Sequence, residues 1–439
     1  MGVSADRLSA RLPGGDGALI LAVFLALYAG FGLLGVLLGL DANGLASTLQ
    51  RITFFAAVYA LLALALNLQW GYAGLFNIGV AGFMAVGVYT MAMLTAPTDP
   101  GTGGLPGLGL PLPVGIVGGM LAAALVGALA ALPALRLKAD YLAIVTLALS
   151  EIIRIVYNST SLRTFSIAGV DLGTGGSQGL ALPTNPINAL FYSDARSPAS
   201  PPTALGEAAF GLFGAAGVQH TTVVDWTYTL VLVVFVWLFY RLLSRVGNSP
   251  FGRVLKAIRE DELVARSLGK DTGRFKIKTF MLGCALMGLG GILWQGSQSY
   301  VSPNNFLPIL TFYIFIALII GGSGSNTGSV IGGALFVGLL FEGPTFVRRL
   351  VAQQIPLGDA PDTFVAAVEP LASLDVTPLL AYALGNLASL RFVLAGVVLV
   401  YFVQTRPKGL LGHRKEIAAS VDLSERPNRP ARADGGERR

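Results

Sequence analysis

Ten stretches of this chain stay apolar for long enough to cross a bilayer of roughly 30 Å. They cover 18–40, 52–69, 74–94, 112–135, 139–157 and 226–243 and, after a polar interval, 279–300, 306–321, 328–346 and 377–404. Polar positions fall mainly between these runs. The pattern predicts an all-α polytopic membrane protein of about ten transmembrane helices, with both chain ends on the same side. The run 18–40 is too long for the apolar part of a secretory signal, and Gly39-Leu40-Asp41 offers no small-residue cleavage site, so it is read as a span.

Two segments are broken by glycine: Trp70-Gly71-Tyr72-Ala73-Gly74 ahead of 75–94, and Gly321-Gly322-Ser323-Gly324-Ser325-Asn326 ahead of 328–346. Unwound backbone at membrane depth is tolerated only where it is buried in protein or lines a water-filled path. An offset of 251 lays Gly71, Gly82 and Gly87 on Gly322, Gly333 and Gly338, which suggests an internal repeat. The span count puts both breaks on one face, whereas an inverted repeat would put them on opposite faces. Gly115/Gly119 and Gly328/Gly332 each form a G-x-x-x-G on an apolar helix, a spacing read as close helix packing.

The polar interval carries its own pattern. Ser249 suits an N-cap with Pro250 at the first helical position, and Gly269 supplies a stop, which predicts a helix over 250–268. Phe251, Val254, Leu255, Ile258, Ala265 and Leu268 fall on one side; Arg253, Lys256, Arg259, Glu260 and Arg266 fall on the other. The run Glu260-Asp261-Glu262 would be repelled by anionic lipid but could pair within a protein groove, so the helix is read as docking a protein rather than resting in headgroups. Phe251, Arg253, Lys256, Arg259, Glu260, Asp261 and Glu262 are the candidate docking residues.

Composition agrees with lipid as the solvent. Of 439 residues 54 are charged, 12%, about half the roughly 25% of a soluble domain. Hydrophobic residues make up 54% and the mean hydropathy is +0.68. One cysteine, Cys284, and two histidines, His220 and His413, leave no material for a disulfide or a Cys- or His-rich metal centre, and no cofactor is expected. Residues 241–278 hold ten Lys and Arg against four acids, and the tail from 405 is basic; 165–225 and 342–376 are acidic on balance. The positive-inside bias therefore puts the N-terminus (1–17), the loop 244–278 and the tail 405–439 in the cytoplasm, with 165–225 and 342–376 as extended outer insertions. Arg136 and Lys138, in a turn between spans, fall on the cytoplasmic side. Nucleic-acid binding is a poor reading of a basic loop set between spans with one aromatic pair, Phe251 and Phe275.

No phosphate-binding G-x-x-x-x-G-K-[ST] occurs, since Gly269-Lys270 is followed by Asp271, so ATP would be hydrolysed by another chain. Ion coupling would call for buried ionisable groups. The candidates, Glu151 with Arg154 at i,i+3 and Arg391, lie near span ends and are read as interfacial or mutually paired. Asn67, Asn77, Thr146, Gln295 and Gln298, with Gly71 and Gly322 at the breaks, could line a path for a zwitterionic solute; the polar ones could equally be interhelical hydrogen bonds.

Four runs carry a resemblance. They are Leu66-Asn67-Leu68-Gln69-Trp70-Gly71-Tyr72-Ala73-Gly74-Leu75-Phe76-Asn77-Ile78-Gly79; Tyr141-Leu142-Ala143-Ile144-Val145-Thr146-Leu147 with Glu151-Ile152-Ile153-Arg154; Gly175-Gly176-Ser177-Gln178-Gly179-Leu180; and Ser249-Pro250-Phe251-Gly252-Arg253-Val254-Leu255-Lys256-Ala257-Ile258-Arg259-Glu260-Asp261. Over about 50–410 the chain resembles the permeases of branched-chain amino-acid ABC importers, the LivM type in particular. The resemblance implies a multi-pass protein of the bacterial inner membrane that is not itself an enzyme. It also implies a related second permease, two cytoplasmic ATP-binding subunits and an external solute-binding protein, with the helix 250–268 received by an ATPase groove. Related permeases carry urea or short amides, which keeps the cargo open, and an ion-coupled secondary transporter is the other alternative.

Overall fold

In a computed structural model of the protein, residues 15–98, 105–134, 139–167, 170–354 and 359–412 are described. Arg136, Lys138, most of the N-terminal stretch 1–17 and the tail beyond 412 lie outside them. The fold is all-α apart from two small antiparallel pairs, Phe165–Ile167 with Val170–Leu172 and Leu180–Ala181 with Tyr300–Val301.

Among the described residues eight helices are long and apolar enough to cross a membrane. The crossing elements are α1 (Gly15–Leu37), α2 (Ala42–Leu66, continued by a π-helical turn Asn67–Tyr72), α3 (Val80–Thr95), α4 (Leu112–Ala134) and α5 (Ala139–Asn158). Two short helices follow, α6 (Asn188–Phe191) and α7 (Ala204–Gly214), and then α8 (His220–Asn248). At the polar loop come α9 (Pro250–Glu260) and α10 (Glu262–Ser267), and then α11 (Thr272–Gln295), α12 (Pro308–Gly321) and α13 (Asn326–Leu335, continued by a π-helical stretch Phe336–Glu342). The chain closes with α14 (Gly343–Gln354), α15 (Phe364–Val368), α16 (Thr377–Gly385) and α17 (Leu387–Thr405). Of the ten predicted runs, 74–94 is realised as the 16-residue α3, shorter than the eight long spans, and 377–404 is divided at Asn386 into α16 and α17.

The α2 helix is the centre of the bundle: 94% of its apolar window is buried, against 17% for α1. Residues Ala56 to Leu66 of α2 are all shielded by neighbouring helices. The α1 and α4 helices show large aliphatic side chains outward, Leu21, Leu25 and Leu33 on α1 and Leu121, Leu125 and Leu129 on α4, as lipid-facing helices do. Lipid is as apolar as leucine, so contact between spans rests on close fit. A Cβ on Gly119 would lie 2.4 Å from the Gly87 carbonyl oxygen, and one on Gly87 would lie 2.6 Å from Gly288 Cα, so α3, α4 and α11 cross backbone to backbone. Gly328 and Gly332 pack in the same way against Gly321 and Ala317 of α12. Both G-x-x-x-G pairs are therefore spent inside the subunit.

Several expectations need correction. The second span starts at Ala42 instead of 52, because Asp41 caps it through Gly44 N at 2.7 Å and the polar side chains of its first turns find partners across the bundle. Asn43 Oδ1 accepts from Gln219 N and Thr222 Oγ1, and Gln50 donates to Thr229. For the same reason α8 begins at His220, inside the insertion expected over 165–225. The segment 342–354, expected in an extended insertion, continues α13 as helix. The first break is also displaced. Trp70, Gly71 and Tyr72 remain helical, and the chain unwinds over 74–79. Gly71 thus sits in a π-helical turn while Gly322 sits in a loop at φ +106°, so the offset of 251 does not join equivalent backbones there.

Candidate functional site

The polar loop 249–271 and both glycine breaks gather at one end of the bundle, here called the lower end; the segment 159–219 occupies the upper end. Ser249 caps α9 by accepting from Gly252 N, with Pro250 at the first position, as predicted. The expected single helix 250–268 is instead two. Asp261 leaves the helical region (φ −154°, ψ 108°), and its carboxylate accepts from Leu263 N and Val264 N to cap α10. A side chain able to bond the next backbone amides competes with continuation of the helix, and here it prevails.

That break changes the surroundings of the candidate docking residues. Phe251 stacks on Phe275 at 5.2 Å and faces inward. Lys256 lies over the Tyr72 ring, 5.4 Å from its centroid. Arg259 donates from Nη1 to the Gly71 carbonyl and from Nη2 to Glu260 Oε1 at 2.7 Å. Two cations thus meet the C-terminal end of α2, where carbonyls lack helical partners and the helix dipole is negative. Glu262 is not offered outward either: it accepts from Arg266 and Thr272 at 2.9 Å each and pairs with Lys276. Of the seven, Arg253 and Glu260 are exposed on the outer side, Glu260 in a pair with Arg259, beside Ala257 at i+4 from Arg253. Turning the chain at Asp261 also brings out apolar side chains: Leu263 is 75% exposed, Val264 53% and Leu268 72%. The sequence period places Leu268 on one side with Phe251 and Leu255, a continuation that the break at Asp261 ends.

Burial alone would raise the Glu262 carboxyl pKa, but Lys276, Thr272 and Arg266 outweigh it and hold it below the ordinary carboxylate value. Its contribution is therefore complete above the unfolded value of about 4.3 and is lost as pH falls through the lower folded value. Amide exchange over 261–272 is expected to accelerate on acidification below about pH 4. Glu262→Gln should remove that dependence and leave the exchange of α2 and α11 as it was.

The path candidates fall into two buried joints. In the first, Asn67 donates to Asn326 Oδ1 at 3.1 Å and accepts from Gly324 N at 2.7 Å, while Asn326 donates to Ser244 Oγ at 3.2 Å. Gly71 belongs here, because a Cβ on it would lie 2.6 Å from Gly324 N. In the second, Asn77 donates to Gln69 Oε1 at 2.8 Å and accepts from Gly79 N, Gln69 donates to Phe280 O, and Thr146 Oγ1 accepts from Ile78 N at 2.9 Å. Asn67, Asn77 and Thr146 are wholly buried, and their polar atoms serve interhelical joints. Gln295 ends α11 toward the upper end and belongs to neither joint.

Two features escaped the sequence. Residues 408–412 fold back on the second break, where Leu410 N donates to Ile320 O and Leu411 N to Gly321 O, each at 3.0 Å. The signal available was Gly409-Leu410-Leu411-Gly412, an apolar pair between glycines in a polar tail. In the upper half, Glu342 of the π-helical stretch is 2% exposed and pairs with Arg51 of α2 at 2.5 Å. Glu151 and Arg154 pair with each other, and Arg391 lies 4.6 Å over the Phe341 ring while donating to Thr345.

A family model described as "Branched-chain amino acid transport system / permease component" matches residues 48–349. The chain is 32% identical over 288 residues to the high-affinity branched-chain amino acid transport system permease protein LivM of Escherichia coli K12, covering 65% of this chain and 61% of that one. It is 26% identical to a probable LivM permease of Methanocaldococcus jannaschii, covering 66% of this chain and 79% of the relative. A shorter likeness, 30% over 121 residues, joins it to the LivH permease of the same Escherichia coli strain, covering 27% of this chain and 37% of that one. The chain thus spans about three fifths of the length of the LivM proteins of enterobacteria that it matches. No solved structure matches it.

Proposed function

Because the chain belongs to the family of branched-chain amino acid transport permease components, we propose that it is the membrane-spanning subunit of an ATP-driven importer of branched-chain amino acids. It would work beside a second, related permease, with two ATP-binding subunits on the cytoplasmic side and a solute-binding protein outside. The observation that carries the coupling half of this reading is the outward face of the lower loop. Leu263, Val264 and Leu268 are exposed side by side with Arg253 and Glu260. Apolar side chains clustered among charges, next to the end of a membrane bundle, are what a protein groove covers. The excess of basic residues over 241–278 supports a cytoplasmic position for that face.

In this reading the buried joints at Asn67 and Asn77 hold the two breaks together, and the cargo passes along the surface shared with the second permease. The test is Leu263→Asp with Leu268→Asp. Neither side chain packs into the bundle, so the variant should purify as the parent does. Reconstituted with its ATPase subunits and binding protein, it should lose most of the stimulation of ATP hydrolysis by loaded binding protein. Unchanged stimulation and unchanged retention of the ATPases would remove the docking role from this face.

A further inference from the structure

We infer that the lower end of α8 carries a binding site for the phosphodiester headgroup of an anionic glycerophospholipid, formed by Arg241 and Arg245 beneath Trp237.

The stripe is continuous along one face of the helix. Leu230, Val234 and Trp237 are 54–56% exposed, and Arg241, Arg245 and Asn248, which follow at helical spacing on the same face, are exposed as well. The face changes from aliphatic to indole to guanidinium within three turns. That order matches a bilayer leaflet from acyl chain through interface to headgroup, where tryptophan and then arginine are favoured. The Arg241 guanidinium lies over the Trp237 ring, 5.4 Å from its centroid, which holds the cation at the depth of the indole.

Below the indole a cavity of about 400 Å³ is lined by Arg241, Ser244, Arg245, Asn248 and Ser249. Arg241 and Arg245 stand one turn apart, about 6 Å along the axis, a separation that a single phosphate bridges with one guanidinium on each side. Neither arginine has a carboxylate partner among the described residues. Several other basic side chains of the loop are engaged: Arg259 on Gly71 and Glu260, Arg266 and Lys276 on Glu262, Arg274 on Asp271. Ser244 uses its oxygen as acceptor for Asn326, which leaves its hydroxyl hydrogen able to donate into the cavity. The site thus offers two cations and hydroxyl and amide donors at the foot of an apolar stripe. A phospholipid satisfies both parts; a free phosphate would use only the lower one.

The test uses the full chain in phosphatidylcholine nanodiscs containing a small fraction of phospholipid brominated on its acyl chains, as phosphatidylglycerol or as phosphatidylcholine. Fluorescence quenching of Trp237 is taken as the difference between the protein and its Trp237→Phe variant. Brominated phosphatidylglycerol is expected to quench several-fold more than brominated phosphatidylcholine at equal content. Arg241→Ala with Arg245→Ala should abolish the preference, at about five-fold in affinity per arginine, while the paired Lys substitutions should keep part of it. Adding 20 mM inorganic phosphate should leave the preference in place. Equal quenching by the two lipids, or a preference that free phosphate removes, would overturn the assignment. Those two measurements are made on the unsubstituted arginines and decide the matter even where the double alanine variant does not fold. Neither requires the ATPase subunits, so the outcome is independent of the importer reading.

Discussion

Replacing Gly322 by valine is expected to prevent the protein from assembling stably, and two separable costs produce that result. Gly322 has φ +106° and ψ 119°, a backbone conformation that residues with a Cβ rarely adopt, and holding such a residue there costs about 1–3 kcal/mol. The second cost is spatial. A Cβ at this position would lie 2.5 Å from Gly412 N and 2.7 Å from Lys408 O. These are backbone atoms and cannot swing aside as a side chain would. Relief requires the segment 408–412 to leave, with loss of the two hydrogen bonds that it donates to Ile320 and Gly321. Those carbonyls belong to the C-terminal turn of α12 and have no helical donor of their own. Gly322→Ala in the full chain should therefore lower the thermal midpoint in detergent markedly, and valine should eliminate the monodisperse species. In a chain shortened to end before Lys408, alanine should cost less than in the full chain, because only the backbone strain remains. Equal costs in both backgrounds would show that the tail segment does not occupy this position.

The apolar runs and the glycine breaks were legible because each is written in consecutive residues, and the lipid solvent leaves few alternatives. What the sequence hid was the position of element ends. Asn43, Gln50 and Thr222 look like loop residues, yet they lie inside helices because each meets a partner on another helix. The Arg51–Glu342 pair spans 291 positions, and no local pattern announces it. Asp261 shows a subtler failure. Its neighbours continue the apolar period, so a single helix looked favourable, but the carboxylate caps a second helix and the chain turns. Every position beyond the turn rotates with it, which is why Leu268 shares the period of buried Leu255 and is nonetheless exposed. The polar path candidates were left between two uses by their residue types alone. Asn67, Asn77 and Thr146 could be read as interhelical joints only once Gly324, Gln69 and Ile78 were seen beside them.

On the proposed docking of ATP-binding subunits to the lower loop, Arg259→Ala is expected to uncouple transport from ATP hydrolysis without releasing those subunits. On sequence grounds Arg259 shares the polar face with Arg253 and Glu260, and its loss would be a loss of docking. Its guanidinium instead reaches the Gly71 carbonyl at the end of α2, within 3.3 Å of where a Cβ on Gly324 would stand. One side chain thus ties α9 to the end of α2 and lies beside the second break. A hydrogen bond from a charged donor is worth about 1.5–3 kcal/mol, and because the Arg259 side chain is 37% exposed the lower end applies. That is still about a ten-fold shift between tied and untied loops. Uptake in proteoliposomes should fall by roughly that factor, while the ATPases remain bound through Arg253, Ala257, Glu260 and the exposed Leu263, Val264 and Leu268. Arg259→Lys keeps a cation at the helix end but loses the second donor to Glu260, and should fall between. Glu260→Ala should leave the tie to Gly71 intact, and with it the ratio of uptake to hydrolysis. If Arg259→Ala instead releases the ATPases, the residue belongs to the docking face, and motion of the loop reaches the breaks by another contact, such as Lys256 over Tyr72 between α9 and the end of α2.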